Sequence, residues 1–291
     1  MRYLIFVTFL WAFSFSLIDE YLAGSVDGDF AVLSRVVLAA AIFLPLTRFR
    51  DVSSGLMGGM IAIGALQIGI TYLCLYRSFL YLNAAEVLLF TITTPLFVSL
   101  FDDAMKARFS PVSFLAALLA VLGAGLIRYD GITGDYLFGF LLIQCANAAF
   151  AAGQVGFKYL SESAPTSLKH HHYFGYFFLG GFLITLPSWL IFGDSTMLPD
   201  TTLQWGILIW LGLGASGLGL FLWNKGGTLV DGGTLAVMNN MLIPAGLLVN
   251  IIIWNRDADL FRLSIGAAVL LLSLWINYRF SRDAKKVLHA G

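Results

Sequence analysis

The sequence predicts an all-α polytopic membrane protein: ten transmembrane helices arranged as an inverted 5+5 repeat, with both termini cytoplasmic. An apolar composition, a helix hairpin that recurs, and a one-sided distribution of lysine and arginine predict it. Of the 291 residues, 59% are hydrophobic and 12% charged, with mean hydropathy +0.84; soluble domains run at roughly 45–50% apolar and about 25% charged. The hairpin runs from Tyr76 to Pro95 (YRSFLYLNAAEVLLFTITTP) and returns from Asn224 to Pro244 (NKGGTLVDGGTLAVMNNMLIP). Each copy has a basic residue (Arg77, Lys225), a tight corner, and an apolar run ending at proline. Aligning Asn83-Ala84-Ala85 with Asp231-Gly232-Gly233 sets Arg77 opposite Lys225, and the two prolines align after one gap. A unit repeated at this period indicates a chain of two similar halves.

A transmembrane helix needs about 20 mostly apolar residues. Ten such stretches follow one another: Tyr3–Leu22, Ala31–Thr47, Leu56–Leu82, Ala84–Phe101, Pro111–Ile127, Tyr136–Leu160, Leu168–Phe192, Leu203–Lys225, Gly233–Trp254 and Phe261–Phe280. The first, with Arg2 ahead of it and a faint cleavage-like Leu22-Ala23-Gly24 behind, could be taken for a signal peptide. Nine further spans make it an uncleaved first helix. The connections are short, so the expected organisation is a first repeat over 1–130, a second, inverted repeat over 134–281, and a basic tail over 282–291.

With the N-terminus inside, the cytoplasmic side holds Arg2, Arg48, Arg50, Lys106, Arg108, Lys158, Lys169, Lys225, Arg279, Arg282, Lys285 and Lys286. The other side holds Arg128, Arg256 and Arg262, while Arg35 and Arg77 fall inside spans. That asymmetry sets the orientation. Five helices per half is odd, so the second half inserts upside down. Such repeats place a substrate site at their interface and alternate access by rocking.

The net charge of zero argues against a nucleic-acid partner. Cys74 and Cys145 lack ligand spacing and read as packing residues. His170, His171 and His172 are consecutive, so they cannot share one helical face and make a poor metal site. No phosphate-binding loop, HExxH or nucleophile motif occurs. No cofactor is expected, and the chain does not read as an enzyme.

The residues also resemble the drug/metabolite transporter superfamily, in particular its EamA-type ten-helix members, over essentially the whole length. The first span carries LWAFSFSL (Leu10–Leu17), with Ala12 where the family commonly has glycine. The second has FAVLSRVVLAAAIFLPL, with a single arginine, Arg35, ahead of an Ala/Leu-rich run. The fourth leads from Ala84-Ala85 to Pro95, and the fifth reads FSPVSFLAALLAVLGAGLI. GFLLIQCANAAFAAGQVGFKYL and SIGAAVLLLSLWI repeat the theme in the second half. Where the family often has Gly-Glu after the fourth and ninth helices, this chain has Phe101-Asp102-Asp103 and Asn255-Arg256-Asp257. The resemblance implies a secondary transporter in a bacterial-type inner (cytoplasmic) membrane, exporting an amino-acid-like metabolite.

Ionisable groups inside a bilayer cost roughly 2.5–3.5 kcal/mol each on insertion scales. Asp19 and Glu20 close the first span, Arg35 lies about one turn into the second, Arg77 nears the end of the third, and Glu86 opens the fourth. Mutual pairing would form an outer lock; the functional alternative is a gate or coupling group at Asp19, Arg35, Arg77 and Glu86. Deeper in the spans stand uncharged polar groups: Gln67, Tyr72, Thr91, Thr94, Gln144, Asn147, Asn239 and Asn240. They read either as interhelical glue or, with Trp11 and Trp223, as the wall of a substrate site. Such a wall suits a small zwitterion or polar solute. Uptake of a metabolite or nucleotide-linked solute, a lipid-acting membrane protein and a non-transporting scaffold remain alternatives. The expected partners are a small-molecule substrate and the lipid bilayer, with protons and a homodimer left open.

Overall fold

The computed structural model describes residues 1–105, 107, 134–230 and 232–254, together with 268 and 272. The predicted fifth span (111–127), all but those two residues of the tenth (261–280), the tail (282–291) and Asp231 lie outside the described residues. Every regular element among the described residues is helical. We number the long helices α1 (Arg2–Tyr21), α2 (Gly28–Phe43), α3 (Ser54–Ser78), α4 (Ala84–Met105), α5 (Gly134–Glu162), α6 (Phe174–Phe192), α7 (Thr202–Gly227) and α8 (Gly232–Trp254). All but α2 and α8 are long and apolar enough to cross a membrane.

Capping chemistry sets several of the starts. Asp27 accepts the Phe30 N–H, so α2 begins at Gly28, ahead of the predicted Ala31. Ser53 caps α3 through the Leu56 N–H. Asn83 and Glu86 form a reciprocal capping box on α4, and Thr201 and Gln204 another on α7; each such box satisfies two backbone donors that a helix start leaves orphaned. The histidines form a short 3-10 turn, His170–His172, before α6 rather than its first turn.

Three helices depart from regular geometry in their interiors. Ala65–Ile70 of α3 and Trp210–Gly219 of α7 are π-helical, a form that widens the turn and occurs frequently at functional sites. In α4, Thr91–Thr93 is a 3-10 turn ahead of Pro95. Proline cannot donate to the carbonyl one turn earlier. The Thr94 hydroxyl donates to that Thr91 carbonyl at 2.7 Å.

α2 packs against α6 and α7, and α3 lies between α5 and α6. The α3–α6 contact depends on two glycines. A Cβ on Gly64 would overlap the Phe177 carbonyl, and one on Gly180 the Ile61 carbonyl. Glycine at both points allows the backbones to touch, as small residues do in membrane bundles. One continuous core runs through the helices, including a stacked phenylalanine group at Phe43, Phe174, Phe177 and Phe178.

Candidate functional site

A cavity lies in the interior of the bundle, with Thr91 and Thr94 of the broken α4 on its wall together with Thr71 and Tyr72, which follow the π stretch of α3. It contains about 800 Å³ of space not filled by atoms, its open mouth included. Of the residues expected to line a substrate site, Trp11, Tyr72, Thr91, Thr94, Asn147, Trp223 and Asn239 line this cavity, and Arg35 joins them. Gln67, Gln144 and Asn240 are not on its wall. Gln67 instead forms a reciprocal amide pair with Asn224, at 3.2 and 3.1 Å. Gln144 accepts from the Thr93 hydroxyl at 2.7 Å. The Asn240 Oδ1 is buried with no hydrogen bond among the described residues.

One wall is aromatic. The rings of Trp11 and Trp223 lie 5.0 Å apart, and Phe150 meets Trp11 edge-on at 6.0 Å. Trp11 donates to the Ala215 carbonyl in the π stretch of α7 at 2.8 Å, and Trp223 donates to Gln154 at 3.0 Å. Both indole N–H groups are thereby satisfied, as burial of a Trp requires.

Arg35 supplies the charge. It is 3% exposed, its Nε donating to Ser216 at 2.9 Å and its Nη1 to the Tyr76 hydroxyl at 3.2 Å. Its guanidinium lies over the Tyr72 ring, 4.2 Å from the centroid. Arg35 was expected among the outer charges, about one turn into its helix. The earlier start of α2 places it about two turns in, at cavity depth. The deeper part of the spans, read from the sequence as holding uncharged polar groups, thus also holds a guanidinium.

The outer charges also pair differently from the expected lock. Arg77 binds Asp29, at 3.0 and 3.2 Å, and donates to Ser188 of α6 at 3.2 Å. Asp19 accepts the Ala84 N–H at 3.2 Å, and Glu86 closes its capping box through the Asn83 N–H at 3.0 Å. Asp29 was left out because it precedes the predicted start of the second span. Its signal was the Asp-Gly-Asp run ahead of the apolar stretch, which reads as a helix cap plus one further carboxylate. Ser216, Tyr76, Ser14 and Gln154 were also missed; a Ser or Tyr within an apolar span carries no periodic signal.

At the opposite end of the bundle His170 packs against Phe157. Burial, then the charge of Lys225, lowers its pKa below the usual imidazole value, with His171 adding to the effect.

The model of the EamA-like transporter family matches residues 2–129. A Pseudomonas aeruginosa protein named a probable biotin transporter is 59% identical over 285 residues, covering 98% of this chain and all of that one. The biotin transporters of Escherichia coli K12 and Salmonella typhimurium are each 48% identical over 281 residues, covering 96% of this chain and 93% of theirs. These names do not point to an amino-acid-like solute. A solved crystal structure of 16% identity shares the fold, with a TM-score of 0.68 over 97% of this chain and 98% of that one. The chain belongs to the EamA-like transporter family, and it is a multi-pass inner-membrane transporter of a small metabolite, not an enzyme.

Proposed function

We propose that this transporter carries biotin and that Arg35 holds its carboxylate. The observation that supports this reading is a buried cation without a described anion. Among the described residues the hydrogen-bond partners of Arg35 are a hydroxyl and a phenol, both neutral, and no aspartate or glutamate lines the cavity. A guanidinium at this depth costs several kcal/mol unless it is neutralised. A ligand carboxylate supplies the missing charge through a bidentate fork. Biotin carries one carboxylate on an apolar tail and a neutral ring system, which suits the Trp11–Trp223 wall. An amino-acid-like cargo would add an ammonium group, for which the described lining offers no carboxylate. A nucleotide-linked cargo would want several cations, and Arg35 is the sole cationic residue among the described residues that line the cavity.

The inverted 5+5 repeat with cytoplasmic termini and halves at 1–130 and 134–281 belongs to the same proposal, together with alternating access. The two π stretches support it. The offset that aligns Asn83 with Asp231 carries residues 65–70 onto 213–218, inside the second π stretch. Equivalent helices of the two halves thus share the same departure from α geometry.

The test is flux of radiolabelled biotin in proteoliposomes holding the full chain. Wild type should accumulate label, and Arg35→Gln should lose it while still inserting, with partial retention in Arg35→Lys. Undiminished flux in Arg35→Gln would overturn the assignment of Arg35. Loading the label on either side tests the expectation of export in the same vesicles.

A further inference from the structure

The cavity wall away from Arg35 has its own chemistry, and three residues determine it. Asn147 is 4% exposed and uses both amide hydrogens on α4, donating to the Phe90 carbonyl at 2.9 Å and to the Thr93 hydroxyl at 2.8 Å. Asn239 donates to the Leu235 carbonyl at 2.9 Å and to Gln154 at 3.4 Å. A backbone carbonyl can only accept, so each amide has one orientation, with nitrogen toward the helix and oxygen away from it. Both residues line the cavity, and among the described residues the side-chain hydrogen bonds of both run through Nδ2, none through Oδ1. Asn147 and Asn239 therefore offer the cavity acceptors and no donors. The third residue is Ser14, 6% exposed, on the half of α1 that packs against α4 and α8. Ser14 lines the cavity, and its hydroxyl is buried beneath that wall without a hydrogen bond among the described residues. An unpaired buried hydroxyl costs about 1–3 kcal/mol, and a ligand acceptor would remove that cost.

We propose that Asn147, Asn239 and Ser14 form a head-group subsite that reads a cyclic urea. The two Oδ1 atoms accept its two N–H groups, and the Ser14 hydroxyl donates to its carbonyl. This rests on the biotin reading and adds a selectivity that reading does not contain. The subsite recognises the ureido N–H groups and carbonyl, Arg35 recognises the carboxylate, and the aromatic wall meets the sulfur-containing ring only through surface contact. A ureido acid without sulfur should therefore be accepted. A sulfur-ring acid without a urea should be refused, because it would leave the two amide oxygens and the buried Ser14 hydroxyl unpaired.

The experiment is competition against labelled biotin in proteoliposomes of the full chain. The competitors are desthiobiotin (urea and carboxylate, no sulfur), biotin methylated on a ureido nitrogen, and lipoate (carboxylate and a sulfur ring, no urea). Desthiobiotin should compete within a few-fold of unlabelled biotin, and the other two should be weaker by about tenfold or more. Ser14→Ala provides a second reading, since it removes no hydrogen bond among the described residues of the empty protein. Its thermal stability should equal or exceed that of wild type while its KM for biotin rises several-fold. Suppression by lipoate or N-methyl biotin as strong as by desthiobiotin, or an unchanged KM in Ser14→Ala, would overturn the subsite and leave biotin transport standing. No biotin flux in any vesicle would overturn the parent reading, and this one with it.

Discussion

Gln67 and Asn224, 157 residues apart in the chain, face each other across the bundle and exchange both amide hydrogen bonds, at 3.2 and 3.1 Å. Gln67 is fully buried and Asn224 is 2% exposed. The pair ties the π stretch of α3 to the last turns of α7, next to the cavity. Each amide is the other's means of satisfaction, so the cost of losing one depends on what remains. Gln67→Leu should destabilise the protein by about 1–3 kcal/mol, since it leaves the Asn224 amide buried and unpaired. The double change Gln67→Leu with Asn224→Leu should cost less than the sum of the two single changes. Thermal unfolding of the four proteins in detergent measures this, and strict additivity would show that the pair is not coupled.

The Arg77–Asp29 pair is asymmetric. The Arg77 side chain is 40% exposed and that of Asp29 10% exposed. Removing Arg77 leaves a nearly buried carboxylate with Ser188 as its remaining side-chain partner among the described residues. Removing the charge of Asp29 leaves a cation that still reaches solvent. Arg77→Gln should therefore destabilise more than Asp29→Asn, by about 1 kcal/mol or more. The reverse order in melting temperatures would show that the pair is a solvated surface contact.

The glycines of α3 differ sharply in what surrounds them. Gly64→Ala should cost about 1–3 kcal/mol, because its Cβ would meet the Phe177 backbone and force α6 away. Gly180→Ala should behave alike against Ile61. At Gly58 nothing lies within 4 Å of the added atom, so Gly58→Ala should be neutral or gain about 0.5–1 kcal/mol of helix propensity. Equal effects at Gly58 and Gly64 would contradict the close α3–α6 approach.

His170 should titrate below the usual imidazole value of about 6.5, because burial and then Lys225 disfavour its charged form. Lys225→Gln should move the titration upward, as read by NMR of the labelled imidazole. The sign for stability follows. The unfolded chain binds the proton more tightly, so the contribution of His170 is fully present above its unfolded pKa. It is lost as pH falls through the lower folded value. A titration unmoved by Lys225→Gln would separate the two groups.

What the sequence by itself determined is the membrane class, the position of the described spans to within a few residues at most ends, and the family. Hydropathy, caps and repeat spacing are local along the chain, so these are legible without a structure. The cavity wall was legible in part for the same reason: Trp11, Asn147 and Asn239 stand out as polar or aromatic breaks in apolar runs. The tertiary structure decided the pairing. Arg35 meets Ser216 across 181 residues and Arg77 meets Asp29 across 48. Choosing among several carboxylates and hydroxyls at similar depth depends on helix rotation and register. Those follow from which side chains interlock, as at Gly64 and Gly180, and the packing of one helix face on another is not written in either segment alone.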